Sequence, residues 1–290
     1  MPASRRVRKG TTDTLTTAFY DGGEKPVDKG AVTVTVTGEL GTTLATGPAT
    51  LDAAVYTFVL PAAATVALDR LTVTWVATTA TTTSTVEVVG GFYFELAELR
   101  QMSNIQSTYN TERLRAARDW IENVIDGECE SSFVRRYATD TFNPYSEPRH
   151  GHPLLLRTSY GQALLSVAVA GVQLTGPQLA ELAIDKLTNE VMATSGYPYV
   201  TGASLITVRY EAGWSDTCPP DLSAVSLSAA RSWLLATDGE SGTPARARSI
   251  TNQFGNMQLS TAGRDHPTGY DDVDAVIIAY RDAVRQGGIA

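Results

Sequence analysis

Cysteine is nearly absent, with Cys129 and Cys218 the two among 290 residues, far apart and without zinc-type spacing. That excludes a disulfide scaffold and leaves two reduced thiols as the expectation. No apolar run approaches the ~18 residues of a membrane span, so none is expected. Met1–Gly10 is basic through Arg5, Arg6, Arg8 and Lys9, but threonine-rich sequence follows in place of an apolar stretch. A Sec signal peptide is thereby excluded. Positive charge is in deficit: 23 Lys and Arg face 31 Asp and Glu, for a net −8 and a pI near 5.0. Duplex affinity comes mostly from cationic contacts to phosphate, which argues against a free-standing nucleic-acid binder but not against a protein that DNA passes through.

Catalytic signatures are equally scarce. There is no phosphate-binding Gly-x-x-x-x-Gly-Lys loop, and Gly22-Gly-Glu-Lys25 reads as a turn between strands. No Gly-x-Ser-x-Gly elbow occurs. His150-Gly-His152 could bring two imidazoles to one metal. However, the only other histidine is His266, and Pro148 and Pro153 mark a loop, so the pair reads as an exposed turn. Glu122, Asp126, Glu128 and Glu130 crowd the end of one helical stretch, whereas acid–base work needs carboxylates facing across a cleft. They read as a solvated face. Neither cysteine has the setting of a nucleophile, and Tyr210, Trp214, Trp233 and Tyr280 read as core. No enzyme, metal or cofactor is expected.

What the chain does have is a 43% hydrophobic composition with 19% charge, enough for a core, and a length that suggests about two domains. Thr11–Gly90 holds 22 threonines and alternates with period two. Val32, Val34 and Val36 share one face while Thr33, Thr35 and Thr37 share the other. Val55–Leu60, Leu71–Val76 and Ser84–Val89 continue the habit, with Gly and Pro turn signals between them. The pattern predicts an all-β immunoglobulin-like sandwich over residues 11–93, behind a basic tail at 1–10.

Beyond a hinge-like Gly90-Gly91 the period becomes 3.6, and residues 94–290 read as a mainly α-helical domain. Thr111 is the expected cap of a helix with Leu114, Ala117, Ile121, Val124 and Ile125 on one stripe. Pro219-Pro220-Asp221 opens a second helix through Leu222, Val225, Ala229 and Trp233. Asp271 or Asp272 starts a third, with Val273, Val276, Ile277, Tyr280 and Val284 inward and Gly287-Gly288 as the stop. Between them lie a β-rich insertion at about 132–214, with strands at Leu154–Arg157, Leu164–Val172 and Leu205–Tyr210, and a long irregular loop at about 237–269.

Two passages in this domain resemble a known family. Val208-Arg-Tyr-Glu-Ala-Gly213, within Ser204–Trp214, precedes Pro219-Pro220 and the helix through Ala229-Ala-Arg-Ser-Trp-Leu234. This is similar to the strand–proline–helix passage of the head-to-tail connector (adaptor) proteins of long-tailed bacteriophages. Ala245–Asn256 and His266–Val276 are similar to the actinobacteriophage adaptors. The resemblance covers roughly residues 94–286 and rests on order and spacing. It implies a structural virion protein made in the host cytoplasm and placed at the head–tail junction, or neck. It further implies a dodecameric homo-oligomeric ring under the portal protein, next to a head-completion (stopper) or tail-terminator protein. Double-stranded DNA would pass through the channel during genome ejection without sequence-specific binding, and no membrane is involved.

The expected portal or inter-subunit contacts are Arg246, Arg248, Asn252, Phe254, Asn256, Ile278 and Tyr280. Arg246 and Arg248 would project to one side of an extended arm, and Ile278 lies off the apolar stripe. The competing reading is a virion-surface or secreted carbohydrate-binding module. It requires Tyr20, Tyr56, Phe58 and Trp75 to cluster on a sandwich face.

Overall fold

Period-two alternation becomes sheet where the valines and threonines predict it. The computed structural model describes residues 5–23, 25–105, 109–143, 154–193, 205–237, 249–252, 255–258 and 267–285. The chain divides into two units, Met1–Gly91 and Phe92–Ala290.

The first unit holds β1 (Arg5–Arg8), β2 (Asp13–Ala18), β3 (Thr33–Thr37), β4 (Thr43–Pro48), β5 (Thr50–Asp52), β6 (Val55–Leu60), β7 (Asp69–Val76) and β8 (Thr81–Val89). One sheet runs β1-β8-β7-β3-β4 and the other β2-β6-β5. Their inner faces share one core, in which Val34, Val36, Leu71, Val73, Trp75, Val86 and Val88 of the first sheet meet Leu15, Tyr56, Phe58 and Leu60 of the second. The threonines form cross-strand rows on the other face of the larger sheet: Thr35 lies between Thr46 and Thr74, and Thr74 is opposite Thr83. Branched at Cβ and hydroxylated, threonine suits a strand face turned to water.

The expected basic tail is corrected. Arg5–Arg8 is an edge strand, paired in parallel with β8. Val7 is buried in the core, Arg6 Nε donates to Glu87 at 3.1 Å, and Arg5 Nε donates to Asp13 at 2.9 Å. The sequence does not show this strand because its pairing partner β8, and the Glu87 that meets Arg6, lie about 80 residues away. Residues 1–91 are therefore expected to melt cooperatively as an isolated β protein, and removing residues 1–10 should cost about 2–3 kcal/mol. That figure is dominated by the burial of Val7. Urea melts of the two fragments followed by circular dichroism check this, and equal midpoints would refute the role of the strand.

The second unit holds three long helices. Helix α1 (Leu96–Gln101) is short and opens on a capping box between Glu95 and Glu98. Helix α2 (Thr111–Cys129) buries Leu114, Ala117, Ile121 and Ile125. Its cap is Asn110, not Thr111: the Asn110 side chain accepts from the Arg113 N–H at 2.9 Å. The β-rich insertion begins with β9 (Arg136–Phe142), β10 (Leu154–Leu155), β11 (Gly161–Val169) and β12 (Val172–Gln173). It continues through the short α3 (Gly176–Ala180) to β13 (Leu182–Asp185), β14 (Glu190–Ala193) and β15 (Ile206–Ala212). An antiparallel sheet runs β12-β11-β15-β9 and a smaller one β10-β14-β13, over a core of their own that includes Val167, Val191, Val208 and Tyr210.

Helix α4 (Pro220–Thr237) follows the prolines as expected. The predicted irregular loop is corrected in part, since β16 (Ser249–Asn252) and β17 (Gly255–Gln258) within it pair antiparallel. Helix α5 (Asp271–Arg285) packs Val273 and Ile277 into the core with Leu222, Ala229 and Leu234 of α4 and the α2 stripe. The glycines expected to stop it lie outside the described residues.

Candidate functional site

Helix α2 places Arg118, Glu122 and Asp126 at i, i+4 and i+8, one above another on one face. Most of this face is covered, with Asp126 half-buried at its end. Glu122 is fully buried and Arg118 is 3% exposed. Glu122 Oε1 accepts from the Tyr93 N–H at 2.9 Å, and Oε2 accepts from Arg136 Nη2 at 2.8 Å. Arg136 Nε also lies 3.7 Å from Asp126 Oδ2. The Tyr93 hydroxyl donates to Asp126 and accepts from the Phe133 N–H. Arg118 sets its guanidinium 3.4 Å from the centre of the Phe92 ring. The network ties the segment before α1 to α2 and β9.

The expectation of a solvated face is thus overturned for Glu122 and Asp126. Their partners are an arginine on another element and the backbone of a distant segment, which no local charge pattern reveals. The available signal was the unbroken Arg–Glu–Asp stripe itself. Burial and the adjoining Glu122, Asp126 and Asp221 push the Cys218 thiol well up, the opposite of what a nucleophile requires. Burial likewise raises Tyr93, Tyr210 and Tyr280 above the usual tyrosine range, and Asp126, Asp140 and Asp221 beside their hydroxyls add to it. The native fold therefore holds protons that the unfolded chain releases above about pH 10. Stability is complete below that pH and should fall as pH rises through the folded-state values, by about 1.4 kcal/mol per pH unit for each proton so held. Absorbance at 295 nm during alkaline titration should show fewer ionised tyrosines at pH 11 in the native chain than in urea. Coincident curves would contradict it.

Helix α5 is fastened at its first turn and again past its middle. Buried Asp274 accepts from the Thr268 N–H at 2.8 Å, the Thr268 hydroxyl at 2.6 Å and the Gly269 N–H at 3.1 Å. Tyr280, an expected portal contact, packs edge-on against Phe133 with ring centres 5.0 Å apart. Its hydroxyl donates to Asp221 at 2.7 Å, joining α5 to α4. Ile278 is half-buried. Asn252 and Asn256 stand in the β16–β17 hairpin, where Asn252 pairs with Gly255 and Asn256 with Thr251. Arg246, Arg248 and Phe254 lie outside the described residues, as do His150, His152 and His266.

The aromatic face required by the carbohydrate reading is not formed by its four candidates. Tyr56, Phe58 and Trp75 are core residues, and Tyr20 alone is exposed. In the insertion, an open groove of about 450 Å³ runs between α3, β11 and β13, lined by Leu164, Leu179, Leu182, Ile184 and Gln162. Gln162 is engaged by the Tyr160 and Gly213 carbonyls and by Lys186.

These features define a mixed α/β chain of two units, a β-rich one built from two stacked sheets and one in which three long helices carry a β insertion. No protein-family model and no curated protein matches it. Among solved structures it is similar to a chain in the neck of an empty GTA particle computed with C6 symmetry, with 14% identity over 48% of this chain and 76% of that one and a TM-score of 0.38. A chain in the virion of the native gene transfer agent (GTA) particle shares 13% identity over 64% of this chain and 88% of that one, with a TM-score of 0.41. A chain from the native GTA neck computed with C12 symmetry shares 14% over 57% and 79%, with a TM-score of 0.34. The resemblance to these neck and virion chains is distant.

Proposed function

We propose that this chain is a structural virion protein that assembles as a ring in the phage neck, joining the portal of the DNA-filled head to the tail. One observation carries the reading. The passage that resembles the connector family, Val208–Gly213 with Pro219, Pro220 and the helix through Leu234, folds as one continuous unit. It runs from β15 through Gly213 and Trp214 into α4. That helix shares its core with α2 and α5. The ring is read as twelve subunits joined by a heterologous contact closed by rotation. Its other neighbour is the stopper or tail terminator, and the acidic chain lets DNA pass without holding it.

The chain is read as working by assembly; Glu122 and Asp126 are engaged by Arg136 and Tyr93, and burial raises the Cys218 thiol. The N-terminal unit is read as an immunoglobulin-like decoration. Its grouping of β8-β7-β3 in one sheet and β2-β6-β5 in the other follows the G-F-C and B-E-D strand sets of that fold.

Electron microscopy of the purified chain with portal-bearing heads tests the reading. Rings at the head–tail junction are expected, and a chain that neither forms rings nor binds heads would overturn it. In complementation of a phage lacking the protein, Arg246→Glu with Arg248→Glu should leave separate heads and tails. Charge reversal at a contact costs about 2–5 kcal/mol, repeated in every subunit. Normal yields of tailed particles would remove this arm from the assembly contacts.

A further inference from the structure

Helix α2 carries its charges against its own dipole. Arg113 and Arg115 stand near its start, whereas Asp126, Glu128 and the cap residue Glu130 end it. A helix favours anions at its N-terminus and cations at its C-terminus, so this order costs stability. The buried network accounts for Asp126, which accepts from the Tyr93 hydroxyl. It does not account for Glu128 or Glu130. Arg281 is shared between Glu128 at 3.6 Å and Asp282 at 3.3 Å. Glu130 is exposed and takes φ +50°, a left-handed cap that glycine usually supplies.

Helix α4 runs back along α2. Its start lies beside Glu122 and Asp126, whose charges act on Cys218. Its end lies beside Arg113, whose guanidinium is 5.4 Å from the centre of the Trp233 ring. There three helices bring arginines together. Arg100 of α1 donates to the Thr111 hydroxyl at 2.8 Å, and Arg231 of α4 donates to the Ser103 carbonyl at 3.1 Å. Arg100, Arg113 and Arg231 each keep part of their surface in water, and half-buried Trp233 stacks on Trp120 beside them. The bundle thus has a basic, aromatic end and an acidic end, about 25 Å apart along α2.

We infer that these ends are the two halves of one contact, in which the arginine end of one copy receives Glu128 and Glu130 of a second copy. The inference rests on the ring reading above. A heterologous contact joins two different patches, and this bundle carries a complementary pair at opposite ends. The charge order that costs a lone helix is compensated when each end meets its opposite on a neighbour. Arginine forks match carboxylates, and tryptophan and arginine are among the residues that dominate contact energies. Duplex phosphate is the poorer occupant, since a chain of net −8 repels it.

The test uses the full chain, with oligomer size read by mass photometry and folding by circular dichroism melts. One variant, Arg113→Glu with Arg231→Glu, turns the arginine end acidic. Another, Glu128→Arg with Glu130→Arg, turns the acidic end basic. Each alone should fold and associate at least tenfold more weakly than the wild type. Mixed in equal amounts they should assemble again, because each then offers the charge that the other needs. Association that mixing does not restore would overturn the inference, as would wild-type assembly by either variant alone, and the ring reading would stand. Should the glutamates block folding, Arg113→Gln with Arg231→Gln decides: tenfold weaker association supports the contact and unchanged association overturns it. A wild-type chain that stays monomeric, alone and with portal-bearing heads, would overturn both readings.

Discussion

Replacing Glu122 with Gln is expected to destabilise the C-terminal unit by about 3–5 kcal/mol, the usual cost of breaking a buried ion pair from one side. Gln retains the shape and can still accept from the Tyr93 N–H, so the loss falls on the charge of Arg136, which is 5% exposed. Asp126, 3.7 Å from Arg136 Nε, gives partial compensation and places the result toward the lower end. A second change, Arg136→Met, should recover part of the loss, because removing both charges of a buried pair is often near neutral. Intrinsic fluorescence is a suitable reporter in urea melts, as Trp120, Trp214 and Trp233 belong to this unit and Trp75 alone to the other. A loss below about 1 kcal/mol for Glu122→Gln would show that the pair is a bystander.

The same residues explain what was legible in the sequence and what was not. The sandwich strands and long helices were legible because their apolar positions repeat with a single period, as Val32–Val36 and Leu114–Ile125 do. Strand β9 was not, because its inward positions alternate Arg136, Ala138, Asp140 and Phe142. Two of those four are charged, with Arg136 reaching Glu122 and Asp140 accepting from the Tyr210 hydroxyl at 2.8 Å. Polar residues facing inward erase the hydrophobic pattern on which strand prediction rests. Strand β1 failed for the same reason, since three of its four residues are arginines. The candidate site divides likewise. Tyr280 was legible as a stripe residue, but its bond to Asp221 joins positions 59 residues apart.

Among the glycines of the described residues, Gly213→Ala is expected to be the most damaging, costing about 4 kcal/mol or more and preventing folding of the C-terminal unit at 37 °C. Gly213 has φ +109°, outside the range that an L-residue adopts without strain, which alone costs about 1–3 kcal/mol. Space is the larger obstacle. A methyl group there would overlap the Val134 carbonyl oxygen and lie 2.8 Å from its carbon and 3.1 Å from Arg135 Cα. Those are backbone atoms, which cannot rotate away. Their positions are fixed by bonds on both sides: Gly213 N–H to the Tyr160 carbonyl at 3.0 Å, Trp214 N–H to Ser132 at 3.2 Å and Arg135 N–H to Ser215 at 2.9 Å. Relief would shift Phe133 and Trp214, whose rings lie 6.2 Å apart against the helical core. Gly127→Ala is the matched control: it lies inside α2 with nothing within 4 Å of the added carbon. It should stabilise the unit by about 0.5–1 kcal/mol through helix propensity. Paired urea melts decide between them, and a Gly213→Ala chain as stable as the wild type would refute the close crossing. If the loss is as large as expected, the glycine of the connector-like passage is held by backbone packing between β15 and residues 132–135. Its place in that passage then reports a fold requirement.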